Sequence, residues 1–288
     1  MRTDAPVAGS HVPKLLVVDS GASSPEAQSS GDVEPHVWHD KDGRPVGRAY
    51  ANGDVHVVEL DRVGRFTFRP DSSEVRGYRE PRVPEDVFED YFSRWILPVA
   101  AQVRGLEVLH ASAVLGPQGV GVFSAASEAG KSTLAYALGV RGYRIWTDDA
   151  LAFTVPGERP QAVHLPFRLR LRPGSAAHFG IDAPPNGRAV AAASYSTQDE
   201  QAPIAAVFLL ERSADGPAVR IEDVDALEAF PTLVEQSYHF GSEDRERKRA
   251  MLTSYLTLAT AVPVCRLAMA TGLANLDVVV ETVEEHLR

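Results

Sequence analysis

A short polar segment between an apolar strand-like run and an apolar helix-like run restricts the possible folds more than any other feature of this sequence. Residues 120–124 read Val-Gly-Val-Phe-Ser, residues 125–133 read Ala-Ala-Ser-Glu-Ala-Gly-Lys-Ser-Thr, and Leu134, Ala135 and Leu138 follow at helical spacing. A strand, a loop ending in Gly-Lys-Ser and a helix, in this order, are typical of a phosphate-binding loop. The segment therefore predicts an α/β fold with such a loop (P-loop, Walker A) at residues 125–132.

Each part of this loop has a role in binding a nucleotide. Backbone N–H groups and the positive end of the following helix bind the β-phosphate. The side chain of Lys131 reaches the β- and γ-phosphates, and the hydroxyl of Ser132 can bind Mg²⁺. The predicted nucleotide-binding residues are Ala125, Ala126, Ser127, Glu128, Ala129, Gly130, Lys131, Ser132 and Thr133.

Two loop positions depart from the usual pattern of Gly, four residues, then Gly-Lys-Ser or Gly-Lys-Thr. The first glycine is replaced by Ala125, whose methyl group is tolerated if the residue keeps a negative φ. Glu128 places a carboxylate beside the expected phosphates, so it must face solvent or a cation. Both departures keep open a nucleotide-binding protein without catalytic activity.

An acidic pair and a histidine are the candidate catalytic residues. Asp148 and Asp149 follow the predicted strand 144–146, where carboxylates can hold Mg²⁺ or accept a proton from an attacking hydroxyl. The alternative is that they merely end a strand, but the loop upstream favours the functional interpretation. His110 lies on the predicted strand 108–115 and gains a role beyond core packing only if it contacts Asp148.

Three arginines alternate with apolar residues in the run 164–172. Arg168, Arg170 and Arg172 would share one face of a strand, where their guanidinium groups suit phosphate or carboxylate contacts. Charges on a solvated edge strand, which prevent edge-to-edge pairing, explain the pattern equally well.

The chain divides into three segments by pattern. Residues 1–35, rich in Ser, Gly, Ala and Pro, are expected to be mostly flexible, with an edge strand at 14–19. Residues 36–104 predict a small antiparallel β-unit, with Asn-Gly and Asp-Gly turns, followed by a helix at 84–103 that Pro98 should kink or end. Residues 105–288 alternate strands and helices, which predicts a mixed central sheet flanked by helices. Residues 184–203 are low in large apolar residues and rich in Ala and Ser, and they are expected to form a surface loop or lid.

Composition excludes some classes of partner. The net charge of −10 argues against a protein held on nucleic acid by phosphate contacts. Cys265 is the only cysteine, so no intrachain disulfide forms, and its apolar surroundings indicate a buried, unreactive thiol. No apolar run is long enough to span a bilayer, and the first residues do not resemble a secretory signal. We therefore expect a cytoplasmic protein that binds neither nucleic acid nor membrane.

The motifs together resemble a known family. Residues 109–114 (Leu-His-Ala-Ser-Ala-Val), the loop through Gly-Lys-Ser, residues 141–143 (Arg-Gly-Tyr) and residues 147–149 (Thr-Asp-Asp) look like the C-terminal domain of HPr serine kinase/phosphorylase. They look closer still to shorter HPr-kinase-like proteins found beside peptide-modification genes, some of which phosphorylate a serine of a lasso-peptide precursor. The nucleotide core of this family is also similar to that of phosphoenolpyruvate carboxykinases.

The resemblance implies roles for individual residues. Asp148 would act as the base toward an acceptor serine, with His110 paired to it, while Lys131 and Ser132 would serve phosphate and Mg²⁺. Asp149 would support the metal site together with Ser132. The second signature of the bifunctional enzymes, a Gly-Arg-Asn-rich segment, has no match here, so the resemblance implies a kinase of this superfamily and not the HPr enzyme itself, and it leaves open any phosphorylase or phosphatase activity.

The sequence therefore predicts a kinase that uses ATP, or another nucleoside triphosphate, with Mg²⁺ to phosphorylate a hydroxyl, with a peptide or protein serine as the favoured acceptor. A metabolite kinase on the same core is the first alternative. An inactive nucleotide-binding partner protein is the second. The acceptor, the nucleotide preference and the oligomeric state stay open, and an oligomer is compatible with the sequence.

Overall fold

The computed structural model describes residues 12–18, 35–40, 42–184, 187–194, 200–213, 217–238 and 245–288. The described residues up to Leu106 form one compact unit, and those from Glu107 onward form a second. Most of the segment 1–35, and with it the expectation that this segment is flexible, lies outside the described residues.

The first unit is built on a six-stranded sheet. Its strands are β1 Lys14–Val18, β2 His36–His39, β3 Pro45–Asn52, β4 Val55–Leu60, β5 Gly64–Phe68 and β6 Glu74–Arg79, in the spatial order β1-β6-β5-β4-β3-β2. Strands β2 to β6 pair with antiparallel neighbours, and β1 lies parallel to β6 at the edge. Gly43 and Gly53 have φ values of 76° and 61°, the left-handed conformation that tight hairpin turns require. The predicted hairpins and the edge strand are confirmed.

The predicted helix at 84–103 is one helical segment with a wider turn in its middle. It consists of α1 Glu85–Tyr91, a π-helical turn Phe92–Ile96 and α2 Leu97–Val103. Pro98 lies in the first turn of α2, where it lacks the N–H of a regular helical bond and its ring would clash with the carbonyl four residues earlier. The wider turn that precedes it accommodates this clash. The apolar face packs on the sheet, with Phe88 stacked on Phe66 at 4.6 Å between ring centroids.

The second unit is an α/β structure. In chain order its elements are β7 Glu107–Leu109, β8 Ala111–Gly116, β9 Gly119–Ser124, α3 Lys131–Val140, β10 Arg144–Thr147, β11 Leu151–Thr154, β12 Gln161–Val163, β13 Phe167–Leu171, α4 Pro173–His178, β14 Ala189–Ser194, β15 Gln201–Ser213, β16 Val219–Asp223, α5 Ala226–Glu235, α6 Arg245–Ala261, β17 Val264–Ala270 and α7 Leu276–Leu287. Strand β9 runs parallel to β15, which runs parallel to β17. Strand β8 is antiparallel to both β9 and β10, so β10 points the same way as β9. The carboxyl ends of β9, β10, β15 and β17 therefore meet at one edge of the sheet.

Helices cover both faces of this sheet, as the alternation of strand side chains requires. Phe123 and Phe208 point to one face, where they share a buried cluster with residues of α3 and α7. Their neighbours Val122 and Val207 point to the other face and pack with α5 and α6. The predicted mixed central sheet with flanking helices is confirmed for the described residues.

Two predicted elements of the second unit are wrong in detail. The single strand predicted at 108–115 is broken at His110, because β7 pairs with β11 whereas β8 pairs with β9 and β10. The N–H of His110 donates instead to the carbonyl of Gln236 at 2.8 Å. The surface loop predicted at 184–203 contains β14, which pairs with β13, and the start of β15. The prediction was based on the scarcity of large apolar side chains in this segment. The Ala-rich strand β14 does not need such side chains, because its backbone pairing with β13 holds it in place.

Within the described residues, no helix is both long enough and apolar enough to cross a membrane.

Candidate active site

The segment between β9 and α3 forms a turn with two left-handed residues. Glu128 has a φ of 75°, and Gly130, which precedes the helix, has a φ of 106°. Ala125 is buried and is not among the described residues with positive φ, so the condition for tolerating a methyl group at this position is met. The turn is closed by a bond of 3.4 Å from the N–H of Ala129 to the carbonyl of Ala126.

Helix α3 begins without a cap. No side chain in the described ranges accepts a hydrogen bond from its first turn. The first backbone bond into the helix is made by Leu134, whose N–H donates to the carbonyl of Gly130 at 3.0 Å. Among the described residues, the N–H groups of Lys131, Ser132 and Thr133 therefore have no acceptor. Three such donors at the positive end of a helix suit an anion.

The amine of Lys131 lies inside this turn. The side chain is 6% exposed, and its Nζ donates to the carbonyl of Ala125 at 2.8 Å and to that of Ala126 at 3.2 Å. Burial lowers the pKa of Lys131, and the negative charges of Asp149 and Asp148 oppose this shift. The turn thus holds a cation beside the free amides of the helix.

Asp148, directly after β10, faces the start of α3. Its side chain is 6% exposed, and Oδ1 accepts hydrogen bonds from the hydroxyls of Ser112 at 2.6 Å and Ser132 at 2.7 Å. Oδ2 accepts from the backbone N–H of Arg170 at 3.3 Å. Burial and then the charge of Asp149 raise the pKa of Asp148, while these three bonds act in the opposite direction. The sequence predicts Ser132 and Asp149 as metal ligands, and in the structure the hydroxyl of Ser132 donates to Asp148.

Asp149 and His110 lie on the Lys131 side of the site. Asp149 has a φ of 66°, and its carbonyl accepts a 3.4 Å hydrogen bond from the hydroxyl of Tyr238. The ring of His110 meets that of Tyr238 edge to face, 6.3 Å between centroids. Burial lowers the pKa of His110, as does the charge of Lys131, while Asp149 acts in the opposite direction. His110 is therefore neutral near pH 7, and among the described hydrogen bonds it makes none to Asp148.

The β13–α4 segment contacts the site at three points. Arg170 does so through the backbone bond to Asp148, and the Ser175 hydroxyl lies 2.9 Å from that of Thr133 at the start of α3. Arg172 lies just past the end of β13, and its guanidinium pairs with the carboxylate of Glu128. The expectation that Glu128 faces solvent or a cation is confirmed. Within the strand, Arg168 and Arg170 alternate with buried apolar residues, as the sequence predicted.

Arg212, near the end of β15, is a site residue that the sequence did not reveal. Its Nε donates to the carbonyl of Ala129 at 2.8 Å, and its Nη1 donates to the carbonyl of Ala270 at 3.0 Å. A Cβ on Gly130 would lie 2.3 Å from its Nη2, so the glycine leaves the space that the guanidinium fills. The available signal was the apolar run 204–210, which ends two residues before Arg212. If this run forms a strand parallel to β9, the ends of the two strands adjoin.

Comparisons with known proteins add little to this geometry. No family model matches the chain, and no curated protein matches it. Among solved structures, the chain is similar to the Hpr(Ser) kinase/phosphatase from Coxiella burnetii, with 15% identity over 62% of this chain and 89% of that one, and a TM-score of 0.32. A likeness this weak does not bear on the activity of this chain.

Proposed function

We propose that this chain is a kinase that uses ATP, or another nucleoside triphosphate, with Mg²⁺ to phosphorylate a hydroxyl, in particular a serine of a peptide or protein. The observation that carries the proposal is the convergence of two features at the start of α3. The free amides and Lys131 suit a polyphosphate, and the Ser132–Asp148 contact supplies the oxygens that a divalent cation needs.

The residues fit the phosphates of a nucleotide. Lys131 already lies within the turn, where it bonds two carbonyls, so it can exchange these neutral acceptors for charged phosphate oxygens without leaving the site. The pairing of Glu128 with Arg172 neutralises the one carboxylate in the turn. This weakens the case for an inactive nucleotide-binding protein, which rested in part on the charge of Glu128.

The residues also fit Mg²⁺. Within the described part of the chain, no three His, Cys, Asp or Glu side chains form a metal site by themselves. Mg²⁺ is commonly held by one or two carboxylates together with substrate phosphates, so Ser132, Asp148 and the neighbouring Asp149 form a suitable set of hard oxygen ligands. When bound, the ion would neutralise charge that develops between the β- and γ-phosphates.

We assign Asp148 two roles, one at the metal and one as the acceptor of the proton of the attacking hydroxyl. Its Oδ1 lies against Ser132, on the side of the metal. Among the residues that the structure describes, only the backbone N–H of Arg170 donates to its Oδ2, over a long 3.3 Å, so this is the oxygen left to accept the proton of the attacking hydroxyl. Without the metal, burial raises the pKa of Asp148, which favours this carboxylate as the proton acceptor. Asp149 and the neutral His110 complete the site beside Lys131.

The proposal is tested by incubating the chain with ATP, Mg²⁺ and candidate acceptors, and by measuring the mass gain of one phosphoryl group. Serine-containing peptides and hydroxylated metabolites are tested separately as acceptors. The sequence resemblance supports the peptides, and the alternative of a metabolite kinase predicts the metabolites. Lys131→Ala should abolish transfer, by about 10³-fold or more, since it removes the main cation at the phosphates. Lys248→Ala, an exposed lysine on α6, is the matched control.

Normal turnover by Lys131→Ala would refute the assignment of the site. Tight binding of ATP by the wild-type chain, without transfer to any acceptor, would instead support the inactive nucleotide-binding alternative.

A further inference from the structure

Arg212 joins two segments that are far apart in the sequence at the edge where parallel strands end. Its Nε bonds the carbonyl of Ala129 in the turn, and its Nη1 bonds the carbonyl of Ala270, the last residue of β17. A planar guanidinium has donors in a rigid fork, so these two bonds fix its orientation. The turn is thereby attached to the sheet through a side chain, in addition to its covalent connection to β9.

The bond to Ala129 sets the direction of a neighbouring N–H group. In a trans peptide the C=O and N–H bonds point in opposite directions, and the carbonyl of Ala129 and the N–H of Gly130 belong to the same peptide unit. Because this carbonyl turns toward Arg212, the N–H of Gly130 points away from Arg212. Among the described residues this N–H has no acceptor.

We propose that Arg212 is a positioning residue that holds the Ala129–Gly130 peptide so that the Gly130 N–H is presented to a bound phosphate. The inference rests on the proposed function, because it assigns a role within the same site. It also explains the glycine: a Cβ at residue 130 would occupy the place of Nη2, and the φ of 106° disfavours other residues.

The positioning role of Arg212 requires the forked geometry of its guanidinium and not only the positive charge, so the role can be tested directly by substitution. Lysine keeps the charge but has a single nitrogen, which cannot bond both carbonyls in the geometry of the guanidinium. We expect Arg212→Ala and Arg212→Lys each to weaken the binding of ATP with Mg²⁺ by about 10-fold or more, as for a lost hydrogen bond to a charged group. Arg220→Ala, which removes an exposed arginine of β16, is the matched control and should bind ATP as the wild type does.

Two readouts separate positioning from a general effect on the fold. The Gly130 N–H would bind phosphate equally in the ground and transition states, so KM for ATP should rise while kcat changes less than about threefold. In ¹⁵N-glycine-labelled protein, the Gly130 amide signal, identified by its loss in Gly130→Ala, should move on addition of ATP and Mg²⁺. In Arg212→Lys this movement should be small.

Wild-type affinity in Arg212→Ala would overturn the positioning role and leave the proposed function intact. Wild-type affinity in Arg212→Lys with weak binding in Arg212→Ala would also overturn it, since charge alone would then suffice. If Arg212→Ala does not fold, Arg212→Lys decides the question by itself. Failure of the wild-type chain to bind ATP would overturn the proposed function and this role together.

Discussion

The two sides of the turn between β9 and α3 are held in different ways. On the aspartate side, the buried carboxylate of Asp148 accepts bonds from the hydroxyls of Ser112 and Ser132. On the arginine side, Arg172 and Arg212 hold the turn through exposed contacts. A buried polar network is costly to disturb because its members lose partners that water cannot replace, whereas an exposed ion pair is worth little. We therefore expect large effects of substitution on the aspartate side and graded effects on the arginine side.

The largest effect should follow from Asp148→Asn. The amide has the same shape but lacks the charge that Mg²⁺ needs and cannot accept the proton of the attacking hydroxyl. Phosphoryl transfer at saturating ATP should fall by about 10³-fold or more. Initial rates would be compared with those of Asp182→Asn, an exposed aspartate outside the site. A rate within threefold of the wild type would mean that the buried side has no part in the chemistry.

Ser112→Ala should have the next largest effect, because it removes one of the two hydroxyl bonds to Oδ1 of Asp148. We expect the free energy of unfolding to fall by about 1.5–3 kcal/mol, the usual contribution of a hydrogen bond to a charged group. Turnover should fall by about tenfold as the carboxylate becomes less well positioned. The measurements are urea unfolding and initial rates.

Ser112→Ala should also shift the pH dependence of the rate, and the direction of the shift can be predicted. The bond from Ser112 favours the ionised carboxylate, so its loss raises the pKa of Asp148 further. If Asp148 is the base, the acidic limb of the rate profile must move to higher pH. Ser124→Ala, a buried serine whose hydroxyl bonds the carbonyl of His110, is the control and should leave that limb in place. A limb that moves to lower pH in Ser112→Ala would contradict the assignment.

Local sequence was sufficient to predict the turn but not the partners that surround it. The strand, the turn and the helix are contiguous, and their signals (apolar periodicity, Gly130 and Lys131) need no knowledge of tertiary pairing. The contact between Ser112 and Asp148 joins residues 36 apart, and Arg212 lies 83 residues from Ala129. Such contacts depend on which strands adjoin and in what register, which periodicity does not specify.

His110 shows the same limit of prediction from sequence within a single predicted strand. An unbroken strand at 108–115 would place His110 and Ser112 on one face, so the sequence could not decide which of them meets Asp148. The structure breaks the strand at His110, where the chain changes partner strands, and brings Ser112 to the carboxylate. A change of partner leaves no mark in the alternation of apolar residues, so the sequence could not have shown it.

On the arginine side, Arg172→Ala should weaken the binding of ATP with Mg²⁺ by about fivefold. The substitution leaves the carboxylate of Glu128 without its neutralising partner next to the bound phosphates, and it removes one positive charge from the site. The free energy of unfolding should change by less than about 1 kcal/mol, because the pair is exposed. Calorimetric titration would compare the variant with Arg159→Ala, an exposed arginine elsewhere on the unit. Unchanged affinity would show that Arg172 is not needed at the phosphates.

The smallest effect, and the one of opposite sign, is expected for Glu128→Gln. Removal of this carboxylate releases Arg172 and takes a negative charge away from the phosphates, so ATP should bind about two- to threefold more tightly. The gain should shrink as ionic strength rises, because both groups are exposed to solvent. Glu128→Gln should also restore most of the affinity that Arg172→Ala loses, if that loss comes from the unpaired carboxylate. Weaker binding of ATP by Glu128→Gln alone would instead mean that the ion pair between Glu128 and Arg172 holds the turn in shape. The arginine side would then be as sensitive to substitution as the aspartate side, and the expected difference between them would be wrong.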